Sequence, residues 1–105
     1  MVIGSLVIDD DGLKALCEEW GVAELAVFGS VLRADFGPQS DVDFLVTWLP
    51  GRMPTLFRMF DMKVELANLV GRPIDLIQRH VVEHDRNQFR RKDILDGAQC
   101  VYAAA

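Results

Sequence analysis

The sequence predicts an α+β fold, a small mixed β-sheet of about three to four strands packed with three to four helices. Three observations predict it. Short apolar runs of strand length, near residues 24–28, 42–48, 72–77 and 99–102, are set apart by breakers rich in Gly, Pro and Asp. Between them, apolar residues recur at helical spacing, most clearly over 13–20 and 54–70. The third is the stretch 27–46, VFGSVLRADFGPQSDVDFLV, in which ten residues separate Gly29-Ser30 from Asp41-Val42-Asp43.

The chain has 105 residues, enough for one domain (1–105) with a single modest core. Half of the residues are hydrophobic and a quarter charged, an ordinary globular balance. No run approaches the ~20 apolar residues of a membrane span, so no membrane association is expected. The start, MVIGSLVIDDDG, lacks a basic region and has only a short apolar stretch, which argues against a signal peptide and for a cytoplasmic protein. Cys17 and Cys100 form no CxxC or Cys/His grouping and read as reduced, buried, structural thiols. The net charge of −5 is uneven. Residues 1–50 carry nine acids against Lys14 and Arg33, whereas residues 51–105 carry nine bases against seven acids. The acidic half is a poor surface for nucleic acid, and no direct contact with it is expected. The basic C-terminal stretch could meet a partner or a phosphate tail; its simplest reading is a solvated helix face.

The elements follow in order. Residues 2–8 read as a short strand or extended lead-in, and the acids Asp9, Asp10 and Asp11 offer an N-cap to the next helix. Leu13, Leu16, Cys17 and Trp20 form its apolar stripe, and Gly21 ends it. A strand near 24–28 runs into Gly29-Ser30, with a short helical turn expected over 31–34 and a loop over 36–40. The strand at about 42–48 ends in Trp48-Leu-Pro-Gly, with Trp48 read as a core or hinge aromatic. A helix over about 54–70 follows, with Leu56, Phe57, Phe60, Val64 and Ala67 as its expected buried stripe. Met53, Met59 and Met62 suit gap-filling or a partner-facing surface, with packing expected for two of them. Gly71 and Pro73 stop the helix before the strand at 72–77. Residues 83–95 read as one further helix, docked by Phe89, Ile94 and Leu95, and 99–102 as a last short strand. His80 and His84 share an i, i+4 spacing, but no third ligand stands near them and the HExxH order is missing, so zinc is not expected.

Chemistry concentrates around Gly29 to Asp43. Strand alternation puts Asp41 and Asp43 on one face, where they repel unless a cation lies between them. Mg²⁺ suits such a pair, because it takes oxygen ligands and is commonly held by one or two carboxylates plus phosphates and water. Gly29 permits close backbone approach or positive φ, and Ser30 adds a hydroxyl beside N–H groups that can meet a phosphate. Arg33 either reaches a triphosphate or pairs with Asp35 or another surface acid. Asp75 is the only acid in its apolar strand, so it needs a cation, hydrogen-bond partners or a wet strand edge. If that strand lies beside the Asp41/Asp43 strand, a triad of acids results.

The GS-x10-DxD arrangement resembles the signature of the nucleotidyltransferases related to DNA polymerase β. The short length and Ser40-Asp41-Val42-Asp43 resemble the minimal nucleotidyltransferase (MNT) domains in particular, over about residues 22–78. The resemblance implies a polymerase β-like fold and one or two Mg²⁺ ions on the catalytic acids Asp41, Asp43 and Asp75. It also implies ATP as substrate, with nucleotide contacts at Gly29, Ser30, Arg33 and Ser40. It further implies an antitoxin that transfers AMP to a tyrosine of a HEPN-domain ribonuclease toxin and forms a hetero-oligomer with it. Such proteins often read GSRARG where this chain has Gly29-Ser-Val-Leu-Arg-Ala34, so Val31 replaces a basic residue and Ala34 a glycine. Two alternatives remain open: a subunit modifying a small-molecule (antibiotic) hydroxyl, and a catalytically silent module that neutralises its partner by contact.

Overall fold

The computed structural model describes residues 1–33, 37 and 40–105. Ala34, the partner proposed for Arg33 at Asp35, and the rest of the expected loop fall outside the described residues, except Gly37 and Ser40.

The N-terminal lead-in is a small hairpin, β1 (Val2–Ile3) paired antiparallel with β2 (Leu6–Val7). Helix α1 (Asp10–Trp20) begins at Asp9, whose carboxylate accepts the Gly12 N–H at 3.1 Å, and it stops at Gly21. The stripe Leu13, Leu16, Cys17 and Trp20 is buried as the spacing predicts. Then come β3 (Val22–Phe28), a 3₁₀ turn at Gly29–Leu32, β4 (Val42–Trp48), α2 (Leu56–Val70), β5 (Ile74–Gln78), α3 (Arg79–Glu83), α4 (Gln88–Gly97) and β6 (Gln99–Ala103). The helical turn thus starts two residues earlier than the sequence suggests.

The main sheet has the order β5-β4-β3-β6. β3 is antiparallel to both β4 and β6, and β4 is parallel to β5. The parallel pair needs a crossover, and α2 supplies it. Alternation divides the side chains between two layers. Leu25, Val27, Val42, Phe44, Val46 and Ile74 pack beneath α1 and α2 with Leu13, Cys17, Met62 and Leu66. Ala26, Phe28 and Leu45 point the other way, toward Val82 of α3 and Ile94 and Leu95 of α4. Both central strands are therefore covered on both sides, which explains their nearly continuous apolar runs. Trp48 donates its indole N–H to Gln78 Oε1 at 2.8 Å and packs against the larger core, as its core reading requires.

Five expectations are corrected. The buried residues of α2 are Met62, Leu66 and Val70, whereas Leu56, Phe57, Phe60 and Val64 are 82, 89, 65 and 44% exposed; Ala67 is half-buried. α2 carries two apolar stripes at helical spacing, and only one can face the sheet. Of the three methionines only Met62 is fully packed, with Met59 half-buried and Met53 exposed. The helix expected over 83–95 begins only at Gln88, after α3 has ended at Glu83, because side chains take over the backbone between the two helices. Asp85 Oδ1 accepts the Asn87 N–H, and Asn87 Oδ1 accepts the N–H groups of Phe89 and Arg90, capping α4. Phe89 does not dock α4, being 79% exposed; Ile94 and Leu95 do. Finally, Cys17 is buried, with its thiol pushed up to about 12 by burial, but Cys100 is exposed on the edge strand β6.

Candidate active site

The β4–β5 ladder sets Asp43 directly beside Asp75. Adjacent partners in a ladder share a face, and here it is the α3/α4 side. Asp41 lies two residues before Asp43, exposed, just outside β4. The three acids proposed from the sequence thus belong to one edge of one layer. Asp43 is the half-buried member, and its carboxyl is held above the ordinary value, first by burial and then by the charges of Asp75 and Asp41, with Arg33 opposing. Asp75 reaches Lys63 of α2 at 3.8 Å in an exposed ion pair.

Gly29 is required by geometry. Its φ is +77°, and a Cβ placed there would lie 2.5 Å from Asp43 Oδ2. The chain leaves β3 by turning around the carboxylate, and only a residue with no side chain passes. The neighbouring segments are pinned to one another. Ser30 Oγ lies 3.4 Å from the Asp41 carbonyl that accepts from it. Ser40 Oγ accepts the Gly37 N–H at 3.1 Å. The Arg72 guanidinium donates to the carbonyls of Gly37 and Ser40, and the Val42 N–H donates to the Pro73 carbonyl at 3.0 Å. Ser30 and Ser40 thus hold the approach to β4 in shape beside the acids.

These residues open into a cleft of about 370 Å³. Gly29, Arg33, Asp43 and Asp75 line it together with Arg90 and Asp93 of α4. A hollow of about 400 Å³ continues from it past Gly29, Arg33, Asp93 and Gly97. Lys63, Arg90 and Asp93 were not singled out from the sequence. Arg90 and Asp93 do fall in the basic C-terminal stretch, whose charge was the available signal; Lys63 gave none, since its pairing depends on how α2 lies along β5.

Among the described residues, no three His, Cys, Asp or Glu side chains are gathered closely enough to enclose a metal ion. The donor set still fits Mg²⁺. It consists of carboxylate oxygens, it is open on the side where phosphates and water complete a coordination shell, and it carries the mutual repulsion that a divalent cation relieves. His80 and His84 are exposed, with His84 Nδ1 2.7 Å from the His80 carbonyl.

The family model of the nucleotidyltransferase domain matches residues 10–101. Protein adenylyltransferase MntA of Thermococcus cleftensis is 36% identical over 66 residues, which cover 63% of this chain and 65% of that protein. The chain thus spans just under two thirds of that relative's length. Among solved structures, one provisionally described as a minimal nucleotidyltransferase superposes with a TM-score of 0.65 at 29% identity, covering 86% of each chain. A toxin–antitoxin crystal structure with AMP-PNP gives a TM-score of 0.68 at 12% identity, covering 92% of this chain and 75% of that one. A tri-AMPylated Shewanella oneidensis HEPN toxin in complex with MNT antitoxin gives 0.58 at 12%, covering 90% and 70%. The last two likenesses are of fold. With the family model spanning nearly all of its elements, this chain belongs to the nucleotidyltransferase domain family.

Proposed function

We propose that this chain is a Mg²⁺-dependent nucleotidyltransferase that moves AMP from ATP to a tyrosine hydroxyl of a HEPN ribonuclease toxin. It acts in the cytoplasm, where ATP is available, as that toxin's antitoxin. The observation that carries the chemistry is the pairing of Asp43 with Asp75 at the mouth of a cleft, with Gly29 wrapped around Asp43. Asp41, Asp43 and Asp75 would hold one or two Mg²⁺ ions, whose chemistry there is to offset phosphate charge and favour the entering and leaving oxygens. Gly29, Ser30 and Arg33 bind the phosphates, and Ser40 keeps the approach to Asp41 in place. The acceptor oxygen forms its bond to the α-phosphorus as the bond to the bridging oxygen of pyrophosphate breaks. Pyrophosphate leaves with that electron pair. The hydroxyl proton passes to a carboxylate at the mouth, which we assign to Asp75, and then to water. The cleft is small and open, so much of the acceptor must be held by the partner itself.

The partner reading draws on the toxin–antitoxin complexes of the structural relatives and on the apolar face of α2. Leu56, Phe57 and Phe60 stand in solvent together, as a surface awaiting a protein often does. The test is transfer of label from α-labelled ATP, with Mg²⁺, to the purified toxin. The expected result is a labelled toxin band, absent with γ-labelled ATP and with Asp43→Ala. Full transfer by a well-folded Asp43→Ala protein would sink the assignment. The α2 face also favours a second reading, neutralisation by contact alone. In that case Asp43→Ala would silence the toxin as well as the natural chain does.

A further inference from the structure

In this chain the Gly-Ser turn offers less positive charge than a triphosphate calls for. Position 31 is a valine, and the fold needs it so. Val31 is buried in the larger core, and its carbonyl oxygen lies 3.3 Å from where a Cβ on Gly4 would stand. A cationic head group would be costly in that apolar core. Among the described residues of the turn and its end, Arg33 is the one that lines the cleft with charge. Yet the same cleft has a second guanidinium, from a different element. Arg90 lies on the first turn of α4 and lines the cleft together with Arg33, Asp43 and Asp75.

Its placement is built rather than incidental. Asn87 Oδ1 accepts the Arg90 N–H at 3.1 Å and so fixes where the helix starts. Asp85 Oδ2 lies 3.8 Å from Arg90 Nε, while the Asp85 carbonyl accepts from Arg91 Nη1 at 3.0 Å. The break between α3 and α4 thus tethers two consecutive arginines. A guanidinium paired through Nε retains terminal N–H groups that can meet a second anion, and its planar fork matches phosphate oxygens. Asp93, one turn further along α4, places a negative charge on the same wall, so the phosphate tail is directed toward the Arg90 end of the cleft.

We infer that Arg90 is a phosphate-binding residue of the nucleotide site, holding the tail of a nucleoside triphosphate together with Arg33 and supplying the charge that Val31 cannot. This rests on the nucleotidyltransferase reading and adds a residue to it from outside the Gly-Ser/Asp-x-Asp region.

The experiment is equilibrium binding of ATP and AMP, each with Mg²⁺, to the natural chain and to Arg90→Gln, Arg90→Lys and Arg33→Gln. Unfolding midpoints are measured alongside. For Arg90→Gln the expected result is roughly tenfold weaker ATP binding, the size of a lost charged hydrogen bond at an open site, with AMP affinity changed by less than about twofold. The preference for ATP over AMP narrows accordingly; Arg90→Lys recovers part of it, and the unfolding midpoint stays. Arg33→Gln narrows the same preference. An unaltered ATP-over-AMP preference in Arg90→Gln overturns the inference, and so does an equal loss of both ligands, which would mark a structural role. A natural chain that does not prefer ATP to AMP would instead overturn the nucleotidyltransferase reading beneath it.

Discussion

On one face of the sheet, α1 and α2 bury Leu13, Cys17, Met62 and Leu66 against Leu25, Val27, Phe44 and Val46. On the other, among the described residues, α3 and α4 meet a smaller cluster, Ala26, Phe28, Leu45 and Ile77, through Val82, Ile94 and Leu95, and no residue of α4 is fully buried. Beside that thin contact lies the cleft with Asp43, Asp75 and Arg90. Close packing supplies stability but excludes a ligand, so one layer cannot do both jobs. The chain divides them across the sheet, and the strands carry both because successive residues face opposite ways.

The largest effect that would test this division is on transfer. Asp43→Asn should lower AMP transfer at least about a thousandfold, some 4 kcal/mol of transition-state stabilisation, with the fold intact by circular dichroism. Appreciable transfer would put the chemistry elsewhere. Next comes the packed face. Leu66→Ala should cost about 2–5 kcal/mol in urea unfolding, and Leu95→Ala on the thin face less than half as much. Equal losses would erase the distinction between the two layers. Gly29→Ala should cost about 2 kcal/mol, from a side chain at positive φ and its collision with the Asp43 carboxylate, and transfer should fall as well. A fully active Gly29→Ala protein would show that the turn can move away from Asp43.

A smaller effect follows from pH. The folded chain holds the Asp43 proton more tightly than the unfolded one, since burial and the two neighbouring acids raise its pKa. Between the unfolded and folded values the native state therefore binds more protons, so this group's contribution to stability falls as pH rises through that window and is level above it. Asp43→Asn, measured without metal, should be more stable than the natural chain at neutral pH, and the advantage should vanish in acid. An advantage that does not change with pH would assign it to something other than the charge. Smallest of all, Phe57→Ser should shift the stability of the isolated chain by less than about 0.5 kcal/mol, because the ring is already in solvent. A loss of several kcal/mol would place Phe57 inside the core after all.

How much of this was legible beforehand depended on whether a segment had one solution or two. α1 has a single apolar stripe, so its phase could be read directly. α2 has two, through Leu56, Phe60 and Val64 and through Met62, Leu66 and Val70, and helical spacing cannot choose between them. Tertiary contacts do. Trp20 donates to Glu65 Oε2 at 3.0 Å, and the Arg58 guanidinium lies 4.8 Å from the centre of the Trp20 ring, turning the second stripe inward. Of the site, Asp41, Asp43 and Asp75 follow from strand alternation together with a lone acid in an apolar run, and Gly29 from its place at the end of a strand. Arg90 and Asp93 reach the cleft only because α4 folds back across the sheet. The cap that starts α4, at Asn87, lies inside what reads from spacing alone as continuous helix.

The β4–β5 ladder also says what may vary in such a chain. Asp43 and Asp75 are neighbours through the lateral alignment of two strands, although the whole of α2 lies between them. Residues added to the turns at either end of α2 leave that alignment alone, since loop length costs little. One residue added within β5, between Ile74 and Asp75, would reverse every side chain beyond it, sending the carboxylate toward the apolar layer and an aliphatic group into the cleft. What descent must preserve between these two acids is therefore a matter of odd and even rather than of distance.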